Sequence, residues 1–483
     1  MVNTQETPKP QLQDWQLNGI VAALEDRHDQ VKKHAFDKLT EYELQNLDTE
    51  LEQKLPDIAK QAANILEDKT VDPSVRGDAT RALSNLGEVG ANYAPEIATI
   101  LKDKTLNSYL RSDAARALGN LGEAGAKYVP DIANILTDKT ADSNVRSSAA
   151  EALGNLGEAG AKYAPEILNI LKDETVDPWV RGSAAEAFGK LAGAKYAPEI
   201  LNILKDETFE ADLNVHYSVA RAFGNLGEAG AKYVPDILNF ITDETVDLLV
   251  RQFAAEALGN LGEAGAKYAP DIANILNDET VDLSIRQSTV VALGNLGEAG
   301  AKYAPDIANI LNDETVAAPV RSSAANALGK MGAAGANYLP DILNFYQDET
   351  ADAYFRRFLD KILSNLGVAA AKYTPEILNI LKDETVDLFI RNHAVVALGN
   401  LGEAGAKYAP EILNILQDEK VDSRVRFSTA EALGKIRKLS WEEVVLVANN
   451  AKDPNQRTFE KWRFLAYFLG GGTDEVKALL NNS

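Results

Sequence analysis

The sequence predicts an all-α fold, an α-α superhelix of about thirteen antiparallel helix pairs, and three observations predict it. The decapeptide "GNLGEAGAKY" recurs verbatim from 119, 154, 224, 259, 294 and 399, with looser copies from 84, 189, 329 and 364. Arginine returns at 76, 111, 146, 181, 251, 286, 321, 356, 391 and 426, in steps of 35 or twice 35, and His216 fills the open slot. Between these marks apolar residues fall at helical period, without the alternation or β-branched runs of strands. Units that touch only their neighbours stack into one array, so a length that would otherwise suggest about three domains reads as a single elongated one.

The divisions follow the lattice. Residues 1–12 read as a flexible tail, 13–45 as a degenerate, more polar capping repeat, 46–436 as eleven repeats of 35 residues, and 437–483 as an aromatic-rich C-terminal cap. The cap holds Phe459, Trp462, Phe464, Tyr467 and Phe468, which predicts a plate of large residues sealing the last repeat.

Within a unit, "KYAPEILNILKDE" (162–174) puts Ile167, Leu168, Ile170 and Leu171 at helical spacing and reads as a first helix, A. Pro165 lies in its first turn, where a missing N–H costs little. Asp177 then offers an N-cap and Pro178 a first-turn proline, opening a second helix, B. In the preceding copy helix B carries Val145, Ala149, Ala152, Leu153 and Leu156 on one face, and Gly157 follows as its stop. Ala150 and Gly154 form a narrow second stripe on which a neighbouring helix can approach closely. The later glycine of the joint, Gly160, has Ala370 in its slot elsewhere and reads as merely small. Where the joint shortens to "GKLAGAKY" (189–196), the next turn gains two residues and the register recovers.

Composition narrows the function. A net charge of −23 disfavours a nucleic-acid partner, whose phosphates are met by Lys and Arg. The lack of cysteine removes disulfides, zinc–thiolate sites and thiol nucleophiles. No basic start precedes an apolar run, and no stretch reaches the roughly 18 apolar residues of a membrane span, so the sequence predicts a cytoplasmic monomer with no membrane partner. The glycine spacing of the joint mimics a phosphate loop, but Ala161 separates Gly160 from Lys162 and Tyr163 follows in place of a hydroxyl on a strand–helix turn. The repeated "KDETVD" turns lack the calcium-loop pattern and read as a solvated rim with an N-cap. His28, His34, His216 and His393 show no metal spacing, and the recurring serines have no histidine partner nearby in sequence. Catalytic residues, metals and cofactors are therefore not expected.

The unit "DSNVRSSAAEALGNLG" (142–157) has an aspartate four before the arginine, a Val-Arg pair, an alanine run and a terminal Leu-Gly. It resembles HEAT repeats, and most closely the HEAT-like repeats named after the phycobilin lyases, over about 45 to 435. The resemblance implies an arginine–aspartate ladder between adjacent units, weaker around Asn107, Ala317 and His216, and a helix B that lines the concave side. It also implies an alternative role as a bilin lyase or chromophore chaperone subunit. The segment 440–480 resembles the ends of HEAT-rich regions in NACHT-type signalling ATPases, which implies a sensor module beside a separate NTPase. "RALSNLG" (81–87) resembles the end of the third armadillo helix, which implies that Asn120, Asn155, Asn225, Asn260, Asn295 and Asn400 form a ladder holding an extended peptide.

Near-identical repeats permit an internal comparison. Helix A is almost uniform, with Thr99 departing from asparagine at the slot of Asn169. Helix B varies at three slots, two before, two after and five after the arginine, offsets that share one helical face. That face and its border carry Tyr109, Trp179, Tyr217, Leu249, Phe253, Tyr354, Phe358, Phe389 and Phe427, rich in the residue types of binding hot spots. The sequence therefore predicts a non-catalytic scaffold or adaptor that binds a protein or peptide along helix B.

Overall fold

The structure, a computed structural model, describes residues 12–42, 44, 52–205, 213–278, 280–347, 359–383, 385–386, 388–451 and 458–481, and leaves out a few side chains within these ranges, Phe389 among them. All regular structure among the described residues is helical. The chain forms two compact units. The first contains the described residues up to Ile203, those up to Ala222 and those from Ser440 onward; the second contains Phe223–Leu439 with Leu204 and Lys205.

Each repeat folds as its local chemistry directs. Helix B runs Ser143–Asn155 and the next helix A runs Ala164–Lys172, with proline in A's first turn. Asp142 accepts the N–H of Asn144 and Asp177 that of Trp179, both at 2.9 Å, so the two aspartates cap their helices. Val145, Ala149, Ala152 and Leu153 are buried where helix B packs on the helix A before it, Val129–Thr137, whose Ile132, Ile135 and Leu136 are buried too, each large side chain contributing about 1.5–3 kcal/mol. Gly157 stops helix B at φ +53°, in the left-handed region that a side chain disfavours. Along the small-residue stripe the helix backbones nearly touch: a Cβ on Gly119 would lie 2.6 Å from the Cα of Ala152, and one on Gly259 2.5 Å from that of Ala292.

The joint differs from its expected form. Glu158–Ala161 winds as an extra short helix, and a Cβ on Gly160 would stand 2.2 Å from the Leu153 carbonyl oxygen. Gly160 is thus required by a close backbone approach, not merely small. The identical decapeptide from 259 instead forms a 3-10 helix, Gly262–Tyr268, in which a Cβ on Gly265 would clear the Leu258 oxygen by 3.2 Å. Ala370 lies in another 3-10 joint, Gly367–Tyr373, which explains why that slot accepts alanine. At the shortened joint no glycine stop remains, and helix B continues into helix A as one helix, Pro178–Leu204.

The arginine–aspartate ladder also takes another form. Eight lattice arginines donate Nε to the carbonyl ten residues back, in the last turn of helix A, among them Arg76 to Leu66 at 2.9 Å, Arg146 to Leu136 at 3.0 Å and Arg251 to Ile241 at 2.7 Å; Arg426 Nε has no such partner among the described residues, and Arg356 lies outside them. A guanidinium there satisfies a carbonyl that the helix leaves open and meets the negative end of its dipole. These bonds tie helix A to helix B within one unit. Asn107 caps as an aspartate does, accepting the N–H of Tyr109 at 2.7 Å, so it is no weak point. Ala317 gives no side-chain cap, but the residue two further on is Pro319, which has no N–H to offer.

The first unit also holds the terminal helices α1 (Asp14–Leu24), α2 (Asp29–Thr40), α3 (Trp441–Asn449), α4 (Phe459–Gly470) and α5 (Asp474–Asn481). The aromatic residues expected to seal the last repeat pack on the N-terminal pair. Gly19 of α1 lies against α4 so closely that a Cβ would stand 2.4 Å from the Tyr467 carbonyl oxygen. The Phe468 ring lies 6.2 Å from Trp15 and 6.1 Å from Tyr42, centroid to centroid. Beneath them Arg463 Nε donates to Asp26 Oδ2 at 2.7 Å and the Tyr467 hydroxyl to the same oxygen at 2.9 Å. The His28 N–H donates to Asp26 Oδ1 at 2.9 Å. Burial pushes the Asp26 carboxyl up, but the bonds from His28 and Arg463 outweigh it and hold the pKa below the usual 3.8.

Candidate functional site

The variable face of helix B resolves into slots of different depth. Two before the arginine, side chains stand in solvent: Tyr109 is 71% exposed, Trp179 69% and Leu249 45%. Tyr217, just after its slot, is 47% exposed. Phe253 and Phe427 are half-buried, and Tyr354, Phe358 and the side chain of Phe389 lie outside the described residues. The slot two after the arginine is less outward than expected. Asp78, Ser148, Ser218, Ser288 and His393 there are buried, and Asp113, Ser183, Phe253, Ser323 and Ser428 are half-buried. Ser148 falls three residues after Val145 and four before Ala152, both core residues, which turns this slot toward the packed side of the helix.

Five after the arginine, the slot carries charges that pair across neighbouring repeats of the first unit. Arg81 Nη1 lies 3.1 Å from Asp113, Arg116 Nε 3.0 Å from Glu151, and Arg221 Nη1 2.7 Å from Glu186. Arg81 also bonds Asp78, and Lys33 Nζ reaches Asp78 Oδ2 at 3.6 Å. Burial pushes the Asp78 carboxyl up to about 6 despite Arg81 beside it. Lys33, Asp78, Arg81, Asp113 and Arg116 line a cleft of about 660 Å³ with Tyr109 and Ser74 among its walls.

In the second unit the same slot is unlike this. Glu256 is half-buried, its Oε2 accepts no hydrogen bond from any described residue, and burial alone raises its pKa to about 7. Thirty-five residues on, the slot holds Val291.

The asparagine ladder is largely engaged within the chain. Asn155 Nδ2 donates to Asn120 Oδ1 at 3.1 Å, and Lys190 donates to Asn155 Oδ1 at 2.8 Å. Lys330 and Lys435 donate likewise to Asn295 and Asn400. Asn225 and Asn260 are half-buried. The signal missed in sequence was the lysine that replaces asparagine in the next unit, as at Lys190 and Lys330. The acids of the repeated turns close them: Asp173 accepts from the Thr175 N–H at 3.0 Å and hydroxyl at 2.6 Å. Among the described residues no group of three or more His, Asp or Glu could hold a metal, and no helix is long and apolar enough to cross a membrane.

The family model for HEAT repeats matches residues 94–189 and 129–211. Residues 94–211 are HEAT repeats. The architecture is accordingly a HEAT-repeat solenoid. Solved structures of similar fold include importin beta, at 12% identity with a TM-score of 0.41, covering 94% of this chain and 69% of that one. Kap121p bound to Nup53p has 15% identity and a TM-score of 0.40, covering 96% and 59%. The Kap95:Nup1 complex has 13% identity and a TM-score of 0.40, covering 96% and 68%. No curated protein matches significantly in sequence.

Proposed function

We propose that the chain is a non-catalytic scaffold that binds a protein or peptide along the exposed face of helix B. One observation carries the reading. The large hydrophobic residues exposed among the described ones are Tyr109, Trp179, Tyr217, Leu248, Leu249, Leu283 and Trp441, and all but Trp441 lie in helix B of a repeat. Apolar side chains held in water on one repeated face, beside otherwise close-packed helices, are the composition of an interaction surface. Aromatic anchors of this kind account for most of the energy at protein interfaces, about 2 kcal/mol or more each at a hot spot.

Affinity capture with the full chain, read by mass spectrometry, tests this against two variants. One combines Tyr109→Ala, Trp179→Ala and Tyr217→Ala; the other combines Leu249→Ala and Phe253→Ala. Proteins retained by the native chain should be lost from at least one variant while helical content and melting stay unchanged. Identical capture by all three chains overturns the reading.

A further inference from the structure

We propose that the helix-B face of the second unit recognises a lysine or arginine side chain of its bound segment, with Glu256 as the carboxylate that receives it. The inference rests on the peptide-binding reading above and names what that face selects.

The repeats supply their own reference. Where this slot carries a carboxylate in the first unit, a guanidinium from the adjoining repeat meets it, as Arg116 meets Glu151 at 3.0 Å and Arg221 meets Glu186 at 2.7 Å. Glu256 has the carboxylate without that partner. The following repeat presents Val291, the preceding one presents Arg221, whose guanidinium pairs with Glu186 instead, and Glu256 Oε2 is enclosed with no donor among the described residues. A carboxylate oxygen removed from water without a hydrogen bond is costly unless a donor arrives from elsewhere.

The residues along the same helix say what brings that donor. Phe253 lies one turn before Glu256 and Leu249 one turn further, at the three- and four-residue spacings that place all three on one face. An aromatic and an aliphatic side chain leading to an acid match a long basic side chain, whose methylenes pack on the apolar pair while its head pairs with the carboxylate. An acidic partner side chain would meet like charge there, and a short polar one would not span the apolar pair. Burial pushes the Glu256 carboxyl up to about 7, so an arriving cation also favours its ionised form.

Phage-displayed random peptides panned on the full chain, and then assayed one by one, test the inference. Peptides whose binding is lost with Leu249→Ala and Phe253→Ala should carry Lys or Arg, and should bind Glu256→Gln roughly tenfold more weakly. Replacing that lysine by norleucine, or that arginine by citrulline, should weaken binding to the native chain similarly and change little on Glu256→Gln. Stripe-dependent peptides without a basic residue, or indifferent to Glu256→Gln, overturn the cation inference and leave the peptide-binding reading standing. Selection of no peptide that depends on Leu249 and Phe253 overturns both for this unit.

Discussion

Two carboxylates, one in each unit, live under opposite conditions. Asp26 is buried between α1 and α4, with its side chain only 1% exposed, and receives Arg463, Tyr467 and the His28 N–H. Its pKa falls below the usual 3.8 although burial acts against this. Glu256 has an enclosed oxygen and no donor among the described residues, and its pKa rises from 4.5 to about 7. Removal from water penalises both; the donors decide the sign. Asp26 is half of a contact that the chain makes with itself, and Glu256 Oε2 is half of a contact for which the described residues supply no second half.

The most severe way to break the contrast is to turn Asp26 into a second Glu256. Arg463→Leu removes its ion-pair partner and also the donor to the Leu480 carbonyl, and should destabilise the packing of α4 by about 3–5 kcal/mol. Hydrogen-exchange mass spectrometry over residues 459–481 reads the loss locally, since a repeat array need not unfold in one step. Asp26→Asn in addition should recover part of it, because the uncompensated charge is then gone.

The next largest effect has the other sign. The folded-state pKa of Glu256 lies above its unfolded value, so the native chain binds more protons between about pH 4.5 and 7 and loses stability as pH rises through that window. Glu256→Gln should therefore be more stable than the native chain at pH 8, by on the order of 1–3 kcal/mol, and equal to it at about pH 4.5. Urea melts at the two pH values check the difference. The Asp26 contribution runs the opposite way: it is present above 3.8 and is lost as pH falls through the depressed native value.

The smallest effect asks the same question of a donor. At Ala317 and Pro319 the helix start lacks both the capping acceptor and the N–H it would bind. Ala317→Asp alone should change little, whereas adding Pro319→Ser should reveal a coupling of about 1 kcal/mol in a double-mutant cycle of melting curves.

What the sequence made legible was local. Period, helix limits, caps and the stop at Gly157 depend on residues a few positions apart, and each has a side chain or φ value to announce it. The arginine's role was misread because its partner is a backbone carbonyl of Leu66 or Leu136, which no residue type marks. Placing the slot of Ser148 on the outer face failed because the adjoining helix covers more of helix B than a two-sided wheel implies. The packing of α4 on α1 spans 437 residues between Asp26 and Arg463, a separation over which no local pattern of residues points from one helix to the other. Of the candidate site, the exposed slot of Tyr109 and Trp179 could be read from variation among copies. The isolation of Glu256 could not, because it depends on what the next repeat fails to provide.

The joint "GNLGEAGAKY" has one more consequence. The same ten residues form an α turn at Glu158–Ala161 and a 3-10 turn at Gly262–Tyr268. The ten residues themselves cannot separate the two forms, so the choice between them is made by the neighbours on which each joint packs. The thirteen-residue helices that flank the two forms are wound alike, so the difference is confined to the joint.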